Sequence, residues 1–350
     1  IRQRLGQTLP SVEVLCKLAR YRWETGDRQE AGDLGDRAIE LAEGSDGIEL
    51  AWAYAARTQV AMTGYEWDLA RELGHKAIDL AEKHGFNEVL SHALSSVGMV
   101  YWTDQERGLS MLLLGRDLVE QHKFVGNPQR AFTNVAVYLH EHFRYQEALA
   151  AFDRGVKYCL EHDHSSGVEL LRAWRLELLE RMGQWDEVWS SASEFLTIGS
   201  HDASGWFYNN LSLARIALRC GRPEADEKFN VLRDLVEDGE DARHVAHFAI
   251  LMAEKAYLGL EDPHAVFDVM TRVRDFRVNG QLYEQQFYLW EKRLGKTPAI
   301  NEAYVFDKQY SLGLAADWQG EADAWAEIGS PYHEALALVD GDVAAKARAL

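Results

Sequence analysis

The chain has 350 residues, 47% of them apolar, with 37 Lys or Arg against 56 Asp or Glu and a formal net charge of −19. That balance, with no basic run anywhere, excludes a nucleic-acid surface built from clustered cations and favours basic or neutral partners. No apolar stretch reaches the ~18 residues needed to span a bilayer and no signal peptide is visible, while Cys16, Cys159 and Cys220 lack metal or redox spacing, so a reducing, cytoplasmic setting is expected.

From the start of the chain, Val12, Leu15, Cys16, Leu18, Ala19 and Trp23 recur at helical spacing, and Gly26-Asp27 breaks the run. Arg28 to Glu43 resumes it with Ala31, Leu34, Ala38 and Ile39, until Gly44-Ser45-Asp46-Gly47 stops it, as glycine does after a last helical turn. The same grammar of helix, short turn, helix and loop repeats. A second unit closes at His84-Gly85-Phe86 and a third at His122-Lys123-Phe124, the same His-x-Phe pattern displaced by 38 positions. Later units turn at Phe143-Arg144-Tyr145, Gly183-Gln184-Trp185, Gly221-Arg222-Pro223 and Asp262-Pro263. Pro128, Pro223 and Pro263 stand where a first helical turn tolerates proline. No sustained polar–apolar alternation marks a strand.

A small residue opens the second helix of each unit: Ala31, Ala70, Gly108, Ala148, Val188, Ala225 and Ala265, at spacings of 37 to 40. A fixed period in this range predicts a helical-repeat array. Small side chains let the paired backbones approach, and each unit hides its apolar face against the next. The cysteines are expected to behave as small buried hydrophobes.

The order Phe143-Arg144-Tyr145-Gln146-Glu147-Ala148, then Phe152 and Gly155, resembles the tetratricopeptide repeat, whose usual period is about 34. The longer units here resemble the tetratricopeptide-like arrays of large bacterial signal-responsive regulators. After Arg274 the period blurs. Candidate helices remain at Leu282 to Leu294 and Tyr304 to Ala316, followed by Asp317-Trp318, Trp325, Ile328-Gly329-Ser330-Pro331-Tyr332-His333-Glu334, Ala335-Leu336-Ala337-Leu338 and Gly341-Asp342. That segment resembles the one closing the helical-repeat region of LuxR-type transcriptional regulators that carry an ATP-binding module, with His333 inserted and Ile328 where Leu is usual. The resemblance implies an all-α, right-handed superhelical solenoid of about eight to nine helix pairs, with seven repeats over 1–277 and irregular C-terminal repeats over 278–350. It also implies a nucleotide-binding domain before the repeats and a helix-turn-helix after them. Neither a Gly-x-x-x-x-Gly-Lys-Ser/Thr loop nor a DNA-reading helix occurs here. Because the chain opens at Ile1 and reaches Leu350 within an expected helix, a piece of a longer protein is expected.

Residues that could carry chemistry are few. His140-Glu141-His142 puts its histidines on different helix faces, and His162-Asp163-His164 lies in a loop. Both read as solvated or structural, with no metal and no cofactor implied. Glu177 with Glu180 and Asp234 with Glu237 share helix faces and read as solvated faces. No Ser-His-Asp arrangement or Gly-x-Ser-x-Gly elbow occurs, so no catalytic residue is assigned and the chain is read as a non-enzyme. In arrays of this kind the first helices line the inner surface. The repeat register then places Arg130 and Asn134, Trp174 and Glu177, Tyr208 and Arg215, and His247 and Glu254 there. Asn can bond a peptide backbone at both amide ends, and Trp and Tyr give large contact area at low entropy cost. The expected role is to bind a protein, peptide or small-molecule effector in that groove, without direct nucleic-acid or membrane contact. A self-associating scaffold is the alternative.

Overall fold

A computed structural model describes residues 8–24, 27–124, 128–198, 203–238, 242–275, 281–301 and 304–350. Among these residues the chain is all helical, with nineteen helices and no strand. They run α1 (Thr8–Glu24), α2 (Arg28–Ala42), α3 (Ile48–Thr63), α4 (Trp67–His84), α5 (Asn87–Val100), α6 (Gln105–His122) and α7 (Pro128–Glu141). Next come α8 (Tyr145–Glu161), α9 (Ser165–Arg181), α10 (Trp185–Ile198), α11 (Ala203–Arg219), α12 (Ala225–Asp238), α13 (Ala242–Tyr257) and α14 (Pro263–Asp275). The last are α15 (Gln281–Arg293), α16 (Lys308–Leu314), α17 (Trp318–Ile328), α18 (Pro331–Val339) and α19 (Val343–Ala349). Gly26 and the expected boundary at 277/278 lie outside the described residues.

Two compact units divide the chain. Unit 1 comprises Ile1–His142 and Ala150–Leu171, and unit 2 Phe143–Leu149 and Arg172–Leu350, so the division runs through α8 and α9. From α1 to α7 each helix packs on the next, and α1, α3, α5 and α7 also pack on one another in succession, forming one layer. The small repeat residues sit where helices cross. Ala31, Ala70, Ala148 and Val188 are fully buried. At the α5–α6 crossing the requirement is strictest: a Cβ on Gly98 would lie 2.8 Å from the carbonyl oxygen of Gly108, and one on Gly108 would lie 2.8 Å from that of Gly98. Neither backbone could give way. Ala225 and Ala265 are only half-buried; near them Phe229 and Val266 fill the core instead.

The turns have a common mechanism. A residue in the left-handed region follows the first helix of several pairs: Tyr65, Phe143, Gly183, Gly221 and Gly259, with φ between 59° and 78°. The His-x-Phe pattern is a helix stop of the same kind. Gly85 (φ 72°) and Lys123 (φ 52°) end α4 and α6 in the left-handed conformation, and the flanking rings stack, His84 on Phe86 at 5.3 Å and His122 on Phe124 at 5.5 Å. Starts are fixed as well: Asp27, Asp104, Asp317 and Asp342 each accept a backbone N–H three residues on, a cap worth about 1 kcal/mol.

Three expectations need correcting. Cys159 is buried, but Cys16 is half-buried and Cys220 exposed. Pro223 lies in the turn ahead of α12, whereas Pro128 and Pro263 open α7 and α14. The expected helix from Tyr304 shrinks to α16, because the Gln285 amide bonds both the Asp307 carboxylate (2.6 Å) and its N–H (3.1 Å), pinning the entering chain extended.

Candidate functional site

Unit 1 contains a cavity of about 670 Å³ against the α1–α3–α5–α7 layer. Its walls are apolar and aromatic, with Val12, Trp23, Trp52, Val60 and Phe124. Ser91, His92, Ser95 and Arg130 supply polar groups. Glu13 and Glu88, both exposed, mark the side open to solvent. Cys16 also lines it, but burial pushes its thiol up to about 12, so it stays protonated at neutral pH and is a poor nucleophile.

Arg130 is the unusual member. Its guanidinium donates to the His92 carbonyl at 3.2 Å and the Ser96 hydroxyl at 2.7 Å. Among the described residues no carboxylate pairs with it. Burial lowers its pKa to about 9, and Arg20 pushes the same way. Arg57, buried in unit 1, is the ordinary case: Asp36 at 2.8 Å and Glu66 at 3.2 Å hold it charged. Beside Arg130, His92 Nε2 is buried without a hydrogen-bond partner. Burial, then Arg130 and Arg20, hold that imidazole well below its usual pKa, hence neutral. The neighbouring Asn134 is half-buried; its amide donates to the Ser95 carbonyl at 2.8 Å and ties α7 to α5.

In unit 2 the remaining groove candidates meet one another. Glu177, Tyr208, Arg215, His247 and Glu254 are all buried, so they do not line an open surface, and the Trp174 ring lies 4.3 Å from that of Tyr208. Arg215 donates to Glu180 at 3.1 Å and pairs with Glu177 at 3.6 Å. Arg219 bonds Glu180 and grips Glu254 with two donors, at 2.7 and 3.0 Å. The solvated-face reading of Glu177 and Glu180 is thereby corrected, whereas Asp234 and Glu237 are exposed. Burial alone would raise the pKa of Glu180, but Arg219, Arg215 and Arg181 outweigh it and hold the group at about 2. For Glu177 burial wins over Arg215 and Arg181, and its pKa rises.

The C-terminal segment closes this network. The Tyr332 hydroxyl donates to Glu254 at 2.6 Å, and the Arg219 guanidinium lies 3.8 Å from the centre of the Tyr332 ring. Ser330 Oγ donates to the Arg181 carbonyl at 3.2 Å. An arginine only donates, so His333 Nε2, 3.5 Å from Arg181 Nη1, accepts; Nδ1 then carries the proton and donates to Ser330 Oγ at 2.8 Å. The same logic makes His247 accept from Arg215 at Nδ1 and donate from Nε2 to Tyr283. Burial, then nearby arginines, keep both imidazoles neutral. Trp325, fully buried, stacks on His333 at 4.6 Å and packs on Phe143 and Tyr310. Gly183 (φ 78°) leaves room for Pro331, which a Cβ would approach to 2.7 Å.

Two histidines of the clusters bond their own helices. His142 and His162 each bond the carbonyl four residues back, at 2.8 and 2.9 Å, and lie against Tyr138 and Tyr158. Among the described residues no group of three or more His, Cys, Asp or Glu is placed to hold a metal ion, and no helix is long and apolar enough to cross a membrane. The register missed Trp52 and His92 in the cavity, and Glu180, Arg181, Arg219, Tyr332 and His333 in the network. The visible signals were Arg215 and Arg219 four apart, facing Glu177 and Glu180 three apart. Compared with family models and with curated proteins, the chain matches none of them.

Proposed function

We propose that the chain is the effector- or partner-binding helical-repeat segment of a bacterial signal-responsive transcriptional regulator, a tetratricopeptide-like right-handed superhelix of the LuxR-type kind. The observation that carries this reading is the unit 1 cavity on the layer of first helices, of a size that takes a small molecule. The segment from Asp317 to Asp342 supports the family assignment by its residue order. The mechanism is a population shift: an effector preferring one arrangement of the cavity helices would bias the flanking ATPase and DNA-binding domains, and one with equal affinity for both arrangements would do nothing. Trp52→Ala in the parent regulator, read by reporter transcription, should blunt the response to inducer while basal expression persists. An unchanged response, with no small molecule retained by the purified chain in native mass spectrometry, sinks the reading.

A second reading, a self-associating scaffold, is favoured by one observation. Val14, Leu18 and Tyr21 lie at helical spacing on α1 and are 38%, 42% and 58% exposed. Concentration-dependent sedimentation of the isolated chain would support it.

A further inference from the structure

The cavity in unit 1 has a polarity that its size alone does not explain. Arg130 carries five N–H donors, of which two are used by the His92 carbonyl and the Ser96 hydroxyl. The remaining donors belong to a side chain that is enclosed by protein and retains accessibility only in part, as expected of a group facing the cavity it lines. A buried guanidinium normally brings its own carboxylate, because an unpaired buried charge is costly. Arg57 does so within the same unit, and Arg130 does not. His92 Nε2 is a second polar atom left without a partner in the same wall. Arg20 also lines the cavity and adds positive potential, which presses on both Arg130 and His92.

The rest of the lining limits what could satisfy these groups. Trp23, Trp52 and Phe124 offer flat apolar walls, suited to an aromatic body. Glu49 and Glu88 also border the space, and Glu13 does so with Lys17 paired to it at 2.6 Å; the two unoffset carboxylates would repel a highly charged anion, so one negative charge fits better than two or three.

We propose that the unit 1 cavity binds a small aromatic monocarboxylate, its carboxylate on Arg130 beside His92 and its ring between Trp23, Trp52 and Phe124. Arg130 is suited to this head because its planar fork matches the two carboxylate oxygens. His92 forms the wall beside that head, its Nε2 buried without a hydrogen-bond partner. The inference rests on the effector-binding reading and adds the charge and shape of the effector.

The first comparison needs no variant. Calorimetric titration of the 350-residue chain with 1-naphthaleneacetate and with 1-naphthaleneacetamide compares ligands of the same shape that differ in charge. The acid should bind at one site per chain and at least tenfold more tightly than the amide. Arg130→Gln, checked for helicity by circular dichroism, should bring the acid to the affinity of the amide, and Arg130→Lys should restore part of the difference. Equal affinity for acid and amide in the unmodified chain overturns the charge assignment while leaving an effector cavity standing. Failure of both to bind at millimolar concentration overturns the proposal, and the reporter experiment with Trp52→Ala then decides separately whether the effector reading survives. A neutral molecule retained in native mass spectrometry would also overturn the monocarboxylate and support the broader reading.

Discussion

Two arginines on corresponding first helices, half-buried Arg130 in unit 1 and buried Arg215 in unit 2, meet opposite fates. Arg215 is answered by Glu180 at 3.1 Å and Glu177 at 3.6 Å, and the neighbouring Arg219–Glu254 pair lies under Tyr332. Arg130 has only a carbonyl and a hydroxyl, beside a cavity of about 670 Å³. In unit 2 charge matching and a covering helix turn the facing side chains of α9, α11 and α13 into core. In unit 1 the same kind of layer keeps one charge unmatched and space in front of it. A buried pair stabilises little in itself, but removing one partner strands the other. An unpaired guanidinium is instead a standing cost that a ligand can relieve.

The strongest way to break that comparison is to remove each arginine in turn. Arg215→Met should destabilise unit 2 by about 3–5 kcal/mol, because Glu177 and Glu180 lose a buried partner. Arg130→Met should change stability by no more than about 1 kcal/mol, since lost hydrogen bonds are offset by removing an unpaired, half-buried charge. Urea unfolding followed by circular dichroism measures both; equal losses would mean that the two arginines are not differently compensated.

Acid should separate the units next. Glu180 is held at about 2 against an ordinary value of 4.5, so its contribution is present above pH 4.5 and lost as the pH falls toward 2. That shift corresponds to about 3 kcal/mol. His247 and His333, with depressed values, add stability that is full above their unfolded pKa near 6.5 and lost as the pH falls through their folded values. Glu177 runs the other way: its raised pKa favours the folded state in acid and loses that advantage as the pH rises through it. Unit 1 has His92 acting in the same sense as the unit 2 histidines. Hydrogen exchange at pH 7 and pH 3 should therefore show protection lost first in peptides from α9, α11 and α18, and an earlier loss in α3 and α5 would contradict this.

A smaller effect isolates the covering segment. Gly183→Ala meets both a positive φ and Pro331, and should cost about 2 kcal/mol. Exchange should quicken in α18 while α3 and α5 keep their protection. Smallest of all, Leu18→Lys on the exposed stripe of α1 should shift stability by no more than about 0.5 kcal/mol. Sedimentation at rising concentration would show whether it removes any self-association.

Much of the fold was legible because helix periodicity, caps and small crossing residues are local. Ala31, Ala70 and Gly108 could be found by counting, and His84-Gly85-Phe86 marks its helix stop within three residues. Local patterns also ranked Glu177, Arg215, His247 and Glu254 as members of one layer. What they could not reveal is that these side chains neutralise each other, because Arg215 and Glu180 are 35 positions apart and Tyr332 reaches Glu254 across 78. Charge pairing over such distances leaves no periodic trace. The cavity was still less visible: only Arg130 was singled out, while His92 and Trp52 look like ordinary members of amphipathic helices.

The contact between Ser330 and Arg181 spans 149 positions, and that has a consequence for the newborn chain. Helices α1 to α7 meet mainly their neighbours in order, so unit 1 can assemble as it leaves the ribosome. The arginines of α9 and α11 emerge long before Pro331–Val339, and must stay hydrated until that helix arrives. Translation therefore gives unit 2 a waiting period that unit 1 does not have. A pause or premature stop before Pro331 would leave its charged centre uncovered, a state chaperones and proteases can recognise.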